Sequence, residues 1–290
     1  MGDLKDTDLR LAQGQPSRTA LSAAMYRAAH QLVDKPPVFE DPLALKIIGD
    51  DAEKVLRAGS ERWTSPNAAS FRGMIAARSR YSDDCFVEAF KQGIRQYVSL
   101  GAGLDTFAYR IKLKGLSIFE VDHPATQTWK SLSLEQNNIT IPENLTYVPV
   151  DFENETLKEG LGRTGFNFSE RAFFSWLGVT PYLTLDAVIG TLAFVAKQMP
   201  RGSEIVFDFA VPPSDDPYLK ARQETLVARV GSIGEPIKSI FIATELEKSV
   251  KSLGFSSAEA LDFNRLNELY FKKRADGLKL QSGHLMRARI

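Results

Sequence analysis

The sequence predicts an α/β fold in which helices cover both faces of a mostly parallel sheet. From residue 96 onward, short apolar runs alternate with helical patterns, as in doubly wound sheets. The first run stops at a Gly-Ala-Gly turn, residues 101–103. The second ends in Glu120 and Asp122, about twenty residues later. This spacing is typical of a nucleotide-binding strand–helix–strand unit, whose second strand ends in a carboxylate that accepts ribose hydrogen bonds.

The first third of the chain is predicted to be helical. Ser17 or Thr19 caps an Ala-rich helix, and the residues from Asp34 to Pro37 end it. Helices are expected over residues 17–32, from Asp41-Pro42 to Gly49, and over residues 70–92. No strand is predicted before residue 96.

The remainder is predicted to alternate between strands and helices. Strands are expected at 96–100, 117–122, 146–150, 172–177 and 204–210, with helices near 124–136, 184–198 and 244–253. Gly283–Arg289 is expected to add a last antiparallel strand. We interpret residues 1–290 as one domain, with a helical N-terminal region (1–92) and a sheet-containing core (93–290).

Composition excludes several classes of protein. With 36 basic and 36 acidic residues, the chain has no net charge to attract nucleic acid or an anionic membrane. No apolar run reaches the length of a membrane span, and no secretory signal is recognisable. Cys85 is the only cysteine, so an intrachain disulfide is impossible and we expect no metal site. We therefore expect a cytoplasmic protein.

In such sheets, ligands bind at the carboxyl ends of the strands. The candidate binding residues are those that follow the predicted strands: Gly101, Ala102, Gly103, Asp122, Asp151, Phe152 and the segment from Trp176 to Tyr182. A helix cap is the alternative interpretation for any one of these acids. Because residues suited to binding a ligand follow three different strands, a binding site is favoured over three unrelated helix caps.

Thr106 and Asp105 distinguish between two adenosine cofactors. A dinucleotide fingerprint requires a third glycine where Thr106 stands, and the carboxylate of Asp105 would repel a pyrophosphate. S-adenosylmethionine has no phosphate and tolerates acids around the turn. We therefore favour S-adenosylmethionine over NAD; a turn that binds nothing is the remaining alternative.

Several motifs in the same order resemble the leucine carboxyl methyltransferase family. The strongest are 98–106 (VSLGAGLDT), 109–110 (YR) and 119–124 (FEVDHP). Segments that resemble its bacterial branch of O-methyltransferases are 17–21 (SRTAL), 41–44 (DPLA), 77–84 (ARSRYSDD), 176–184 (WLGVTPYLT) and 207–208 (FD). The resemblance covers roughly residues 17–210.

The resemblance implies a Rossmann-like class I methyltransferase with an N-terminal helical lid. It implies that Arg78, or alternatively Arg80, pairs with the cofactor's methionine carboxylate. It further implies that Gly101 lies against the cofactor, that Asp122 holds the ribose, and that Asp151 and Phe152 bracket the adenine. Many members carry Ala-Glu-Gly after the fourth strand, whereas this chain has Trp176, Leu177 and Gly178. That departure leaves the contacts of Trp176 and the partner of the cofactor's amino group open.

Residues for the acceptor are harder to identify. Arg18, Tyr26 and Tyr182 are candidates for lining its pocket, with helix surface or ordinary packing as the alternative. His123 and Tyr182 are candidate catalytic residues, although a cap at the start of the next helix is the favoured role for His123. We interpret His30 and His284 as structural.

We therefore expect an S-adenosylmethionine-dependent O-methyltransferase whose acceptor is a small molecule, with a carboxylate preferred because it is ionised at pH 7 and needs no general base. The alternatives are a protein C-terminal carboxyl methyltransferase, an NAD-dependent oxidoreductase and a cofactor-binding protein without catalysis.

Overall fold

The computed structural model describes residues 18–59, 63, 65–151, 155–213, 215–217, 220–221, 224 and 236–290. In these ranges the helices before the sheet are α1 (Arg18–Val33), α2 (Ala44–Ile48), α3 (Asp50–Ala58) and α4 (Pro66–Lys91). Ser65 caps α4 by accepting a hydrogen bond from Ala68, and Pro66 occupies the first helical position. The predicted helical first third is confirmed for the described residues.

A seven-stranded sheet follows, with strand order β3-β2-β1-β4-β5-β7-β6. Its strands are β1 (Gln96–Leu100), β2 (Ser117–Asp122), β3 (Leu145–Pro149), β4 (Ala172–Trp176), β5 (Glu204–Phe209), β6 (Ser257–Asp262) and β7 (His284–Arg289). The first five are parallel, and β7 lies antiparallel between β5 and β6. The doubly wound sheet and its antiparallel last strand are confirmed.

Helices pack on both faces of this sheet. They are α5 (Phe107–Arg110), α6 (Pro124–Gln136), α7 (Leu157–Gly162), α8 (Leu185–Gln198), α9 (Ala243–Ser252) and α10 (Phe263–Tyr270). Successive strand residues point to opposite faces, so Val98 and Phe174 join one apolar cluster while Tyr97 and Phe173 join the other. The second cluster contains Phe86 of α4, whose ring meets Tyr97 edge-on at 5.0 Å. Helix α4 therefore runs along one face of the sheet.

The N-terminal helices rest on the carboxyl edge of the sheet. Ser133 of α6 donates a 2.6 Å hydrogen bond to the carbonyl of Ile47 in α2. Arg27 of α1 donates to the carbonyl of Leu104, in the turn after β1. We call α1, α2 and α3 the lid helices, because α1 is fastened to the turn after β1, above the strand ends where ligands of such sheets bind, and α2 and α3 pack against α1.

One strand was missing from the sequence prediction. Strand β6 reads Ser-Ala-Glu-Ala-Leu-Asp, which is poor in the β-branched and aromatic residues that mark strands. It forms an edge of the sheet and pairs with β7 alone. Strand β3 begins and ends one residue earlier than the predicted 146–150. Strands β4 and β5 each end one residue earlier than the predicted 172–177 and 204–210. None of the helices in the described ranges has both the length and the apolarity required to cross a membrane.

Candidate functional site

The turn after β1 is built from glycines that no other residue could replace without strain. Gly101 and Gly103 have φ of +66° and +45°, a region that favours glycine. A Cβ on Gly101 would lie 2.4 Å from Cγ2 of Val179, and one on Gly103 would lie 3.1 Å from Cβ of Ala20. Between them Ala102 is buried. The turn is therefore enclosed by α1 on one side and by the segment after β4 on the other.

Asp122, at the end of β2, is fixed against this turn. Its Oδ2 accepts a 2.6 Å hydrogen bond from the amide of Gly103, and its Oδ1 accepts one of 2.7 Å from the amide of His123. Burial raises the pKa of Asp122, and these two hydrogen bonds oppose the rise. A carboxylate offers about four acceptor positions, so this one can still accept hydrogen bonds from ribose hydroxyls.

Asp151 lies beside Asp122 at the same edge. The amide of Val150 donates a 2.9 Å hydrogen bond to the carbonyl of Asp122, which joins the ends of β2 and β3. Asp151 follows directly and is half-buried. Phe152, its predicted partner around the adenine, lies outside the described residues.

Arg78 reaches the site from α4. Its Nη1 lies 2.8 Å from Oδ2 of Asp208, at the end of β5, and Oδ1 of Asp208 accepts a 2.6 Å hydrogen bond from the amide of Gly178. A Cβ on Gly178 would lie 2.7 Å from Nη2 of Arg78, so the guanidinium covers this glycine. Arg80 instead pairs with Asp84 on the exposed surface. Of the two predicted alternatives, Arg78 is the one placed at the strand ends.

Trp176 is the last residue of β4, and its side chain is buried. It is only 2% exposed and packs in the core, with its ring 6.1 Å from that of Phe207. Leu177 packs against the apolar cluster on the α4 face. Because successive strand residues point to opposite faces, the side chain of Trp176 lies on the face of the sheet opposite α4. Any contact between Trp176 and a cofactor is left to its main chain.

The predicted candidates for acceptor binding and catalysis are scattered. His123 is exposed, and its Nδ1 accepts a hydrogen bond from the amide of Ala125 as the cap of α6. Tyr26 of α1 meets the rings of Trp63 and of Phe71, in α4, edge-on. Tyr182 is half-buried in the 3₁₀ segment Thr180–Tyr182. The side chain of Arg18 lies outside the described residues.

The other two histidines differ in position: His30 lies in α1, whereas His284 begins β7, opposite Phe209 at the end of β5. His30 is fully buried; its Nε2 accepts from the amide of Val38, and its Nδ1 lies 2.6 Å from Asp34, so Nδ1 carries the proton. Asp34 also holds Arg72 in a bidentate ion pair. His284 lies on β7, where burial lowers its pKa. The hydrogen bonds of His30 fit the structural role predicted for it, and the role predicted for His284 stays a prediction.

Sequence reasoning missed a buried polar network beneath the lid. Asp41, between α1 and α2, accepts a 2.6 Å hydrogen bond from the hydroxyl of Thr106 and pairs with Nε of Arg27 at 2.7 Å. Arg110 donates to the same hydroxyl and pairs with Asp83. Asp41, Asp83, Thr106 and Arg110 stood in the motifs quoted above, but contacts across 65 positions of sequence cannot be read from spacing.

Asp105 keeps a negative charge beside the turn. It caps α5 by accepting a hydrogen bond from the amide of Phe107. Burial raises its pKa, but the charges of Arg27 and Arg110 outweigh that effect and the pKa is lowered overall. An ionised carboxylate here opposes a pyrophosphate, as the sequence predicted.

Comparisons with known proteins agree with this geometry. The family model described as "Leucine carboxyl methyltransferase" matches residues 20–196. A Bacillus subtilis (strain 168) protein named "Putative S-adenosyl-L-methionine-dependent methyltransferase YktD" is 32% identical over 302 aligned residues, which cover 92% of this chain and 95% of that protein. A Mycobacterium tuberculosis (strain H37Rv) protein with the same description, Rv1896c, is 32% identical over 190 residues, covering 64% of this chain and 62% of that protein.

Solved structures show the same fold at low sequence identity. A "putative methyltransferase" from Thermobifida fusca YX has a TM-score of 0.56 at 15% identity, over 96% of both chains. A DUF574 family protein from Streptomyces avermitilis has a TM-score of 0.52 at 13% identity, over 92% of this chain and 96% of that one. At such identities the similarity is one of fold.

Proposed function

This chain belongs to the leucine carboxyl methyltransferase family and is an S-adenosylmethionine-dependent methyltransferase, and from this premise we propose that it methylates an oxygen of a small molecule, specifically a carboxylate. The choice of a carboxylate acceptor is supported by the hydrogen bonds of two of the three histidines, His30 and His123. A phenol or an alcohol must lose a proton during transfer, whereas a carboxylate is already ionised at pH 7. His30 has both ring nitrogens engaged in the lid, and Nδ1 of His123 is engaged in capping α6. Neither arrangement favours a general base.

The residues at the strand ends fit the cofactor. Asp122 would accept hydrogen bonds from the ribose hydroxyls, and Asp151 from the adenine amine. The glycines of the turn allow the backbone to approach the ligand closely. Arg78 would pair with the methionine carboxylate, since a guanidinium suits that planar anion. The cofactor supplies an activated methyl group on a sulfonium sulfur.

The chain's own contribution to the reaction is to position the reactants and exclude water. Ala20 of α1 and Val179 of the segment after β4 close over the glycine turn. We infer that the lid helices cover the site of a single catalytic domain, and that the network of Asp41, Thr106 and Arg27 fastens them. Alignment of acceptor oxygen, methyl group and sulfur in a dry site can supply most of the rate of such a displacement.

The acceptor class can be tested by the chemistry of the product. Cofactor with a tritium-labelled methyl group is incubated with the enzyme and a set of small carboxylic acids, each paired with the alcohol of the same skeleton. Methyl esters release volatile labelled methanol in mild base, whereas methyl ethers do not. Base-labile label from the acids alone supports the proposal. Base-stable label from the alcohols would overturn the carboxylate assignment.

The same assay separates the alternatives. Turnover of peptides with a free C-terminal carboxylate, without turnover of small acids, would indicate a protein carboxyl methyltransferase. Replacement of each peptide by its C-terminal amide is the matched control. Cofactor binding without turnover on any acceptor would favour a binding protein, and preferential binding of NAD would favour an oxidoreductase.

A further inference from the structure

We propose that Asp208, at the end of β5, binds the ammonium group of the cofactor's methionine moiety. The proposal rests on the proposed function, because it concerns the same cofactor. Asp208 is the penultimate residue of β5, and the sequence analysis did not list it among the candidate binding residues.

Asp208 mirrors Asp122 across the centre of the sheet. β2 and β5 flank the central strands β1 and β4. Each acid accepts a 2.6 Å hydrogen bond from the amide of a glycine in the loop after the neighbouring central strand: Gly103 for Asp122, and Gly178 for Asp208. Both glycines have positive φ. The two carboxylates therefore lean inward and border the same stretch of strand ends, above β1 and β4.

The order of the strands matches the order of chemical groups in the cofactor. The edge reads β3, β2, β1, β4, β5, and its polar groups in that order are Asp151, Asp122, the glycine turn, Gly178 and Asp208. Strands are about 4.8 Å apart. With the adenosine end at Asp151 and Asp122, an extended cofactor carries its amino-acid end past the glycine turn toward Gly178, Arg78 and Asp208.

Charge at that end complements an amino acid zwitterion. Arg78 and Asp208 lie 2.8 Å apart and present a cation and an anion together. Trp176 pairs with Phe207 in the register of β4 and β5, so the next residue, Leu177, comes opposite Asp208. Leu177 itself carries no charge. The negative charge at this part of the edge is therefore that of Asp208 on β5, the strand next to Leu177.

Asp208 also has the capacity for a further bond. The hydrogen bonds from Gly178 and Arg78 occupy one position on each oxygen, and a carboxylate offers about four. Asp208 is 8% exposed, so a bond from an ammonium group would form in a partly desolvated site, where charge-assisted hydrogen bonds are strong. The cluster of Arg78, Asp208 and a bound zwitterion would stay electrically neutral.

Three adenosine ligands separate the two charges. All three are neutral thioethers at sulfur: S-adenosylhomocysteine has both the ammonium and the carboxylate, decarboxylated S-adenosylhomocysteine has only the ammonium, and 5′-methylthioadenosine has neither. Their dissociation constants are measured calorimetrically on the full-length wild type, Asp208→Asn and Arg78→Gln. We expect Asp208→Asn to weaken the first two ligands by about 10- to 100-fold, as for loss of a charged hydrogen bond, and to leave 5′-methylthioadenosine unchanged. Arg78→Gln should weaken S-adenosylhomocysteine alone.

The outcomes are distinguishable. Asp208→Asn would refute the inference if it weakened all three ligands equally, as a purely structural role predicts, or if it left decarboxylated S-adenosylhomocysteine unaffected. Asp208→Glu keeps the charge and displaces it by one methylene. If the Asn variant fails to fold, loss of affinity in the Glu variant confined to the two ammonium-bearing ligands supports the inference, and unchanged affinity for them refutes it. A wild type that binds none of the ligands would contradict the cofactor assignment instead.

Discussion

The amide of Gly103 donates a 2.6 Å hydrogen bond to Oδ2 of Asp122, and this contact joins the turn after β1 to the end of β2. The two signals that the sequence places 19 positions apart are thus direct neighbours in space. The positive φ of Gly103 is part of the backbone path that points the amide at the carboxylate. Turn and acid form one structural unit.

Replacement of Gly101 by alanine should disrupt this unit. The new Cβ would lie 2.4 Å from a methyl group of Val179, at a φ of +66°. Positive φ costs about 1–2 kcal/mol for an L residue, and the overlap with Val179 adds a similar or larger amount. We expect a loss of about 3 kcal/mol in the free energy of unfolding, measured by urea denaturation, together with loss of S-adenosylhomocysteine binding.

Gly115→Ala is the matched control for backbone strain. Gly115 has a φ of +77°, but no atom lies within 4 Å of the position of its Cβ. This variant should lose only about 1 kcal/mol and should bind S-adenosylhomocysteine normally. Equal losses in the two variants would show that contact with Val179 has no part in the effect.

The hydroxyl of Thr106 should stabilise the attachment of the lid. It donates a 2.6 Å hydrogen bond to the buried carboxylate of Asp41, and hydrogen bonds to charged groups contribute about 1.5–3 kcal/mol. Thr106→Val is expected to lower the unfolding free energy by that amount. Thr128→Val is the control, because the exposed Thr128 hydroxyl donates only to the carbonyl of Pro124 in its own helix. A loss for Thr106→Val no larger than the control's would contradict the role of the network.

The buried pair of Glu120 and Lys130 should make stability depend on pH. Burial raises the pKa of Glu120 to about 7, although Lys130 at 2.7 Å opposes the rise. Between the ordinary pKa near 4.5 and this value, the unfolded chain releases a proton that the folded chain retains. This group's contribution to stability is therefore greatest below the ordinary pKa and falls as pH rises to about 7.

Lys130→Met tests this pair. Removal of the partner leaves a buried carboxylate, which costs about 3–5 kcal/mol when it is ionised. We expect such a loss in urea denaturation at pH 8 and a much smaller one at pH 5, where Glu120 can hold its proton. Lys54→Met, at an exposed ion pair with Asp51, should change little at either pH. An equal loss for Lys130→Met at both values would be inconsistent with the raised pKa.

The sequence was most informative where signals are local. The parallel strands, the glycine turn and the acid after β2 could be predicted, because each depends on residues that are adjacent or alternate along the chain. Strand β6 was missed because an edge strand of small and polar residues gives no apolar run. Trp176 was placed at the ligand edge by its motif, whereas its position within β4 turns the ring into the core.

Long-range contacts account for the rest. The Asp41–Thr106 hydrogen bond and the Arg78–Asp208 ion pair join residues 65 and 130 positions apart. Nothing in local spacing selects Asp41 or Asp208 from the other acids. Asp208 is the penultimate residue of β5, and only its contacts with Gly178 and Arg78 connect it to the candidate site.

Calorimetric titration with S-adenosylhomocysteine tests the central claim, that the strand ends bind an adenosine cofactor through Asp122, most directly. Wild type and Asp122→Ala are compared, with NAD as the control ligand. We predict micromolar binding to the wild type, at least a tenfold loss in a folded Asp122→Ala, as for loss of charged hydrogen bonds, and no binding of NAD. Preference for NAD, or unchanged affinity in the variant, would contradict the claim.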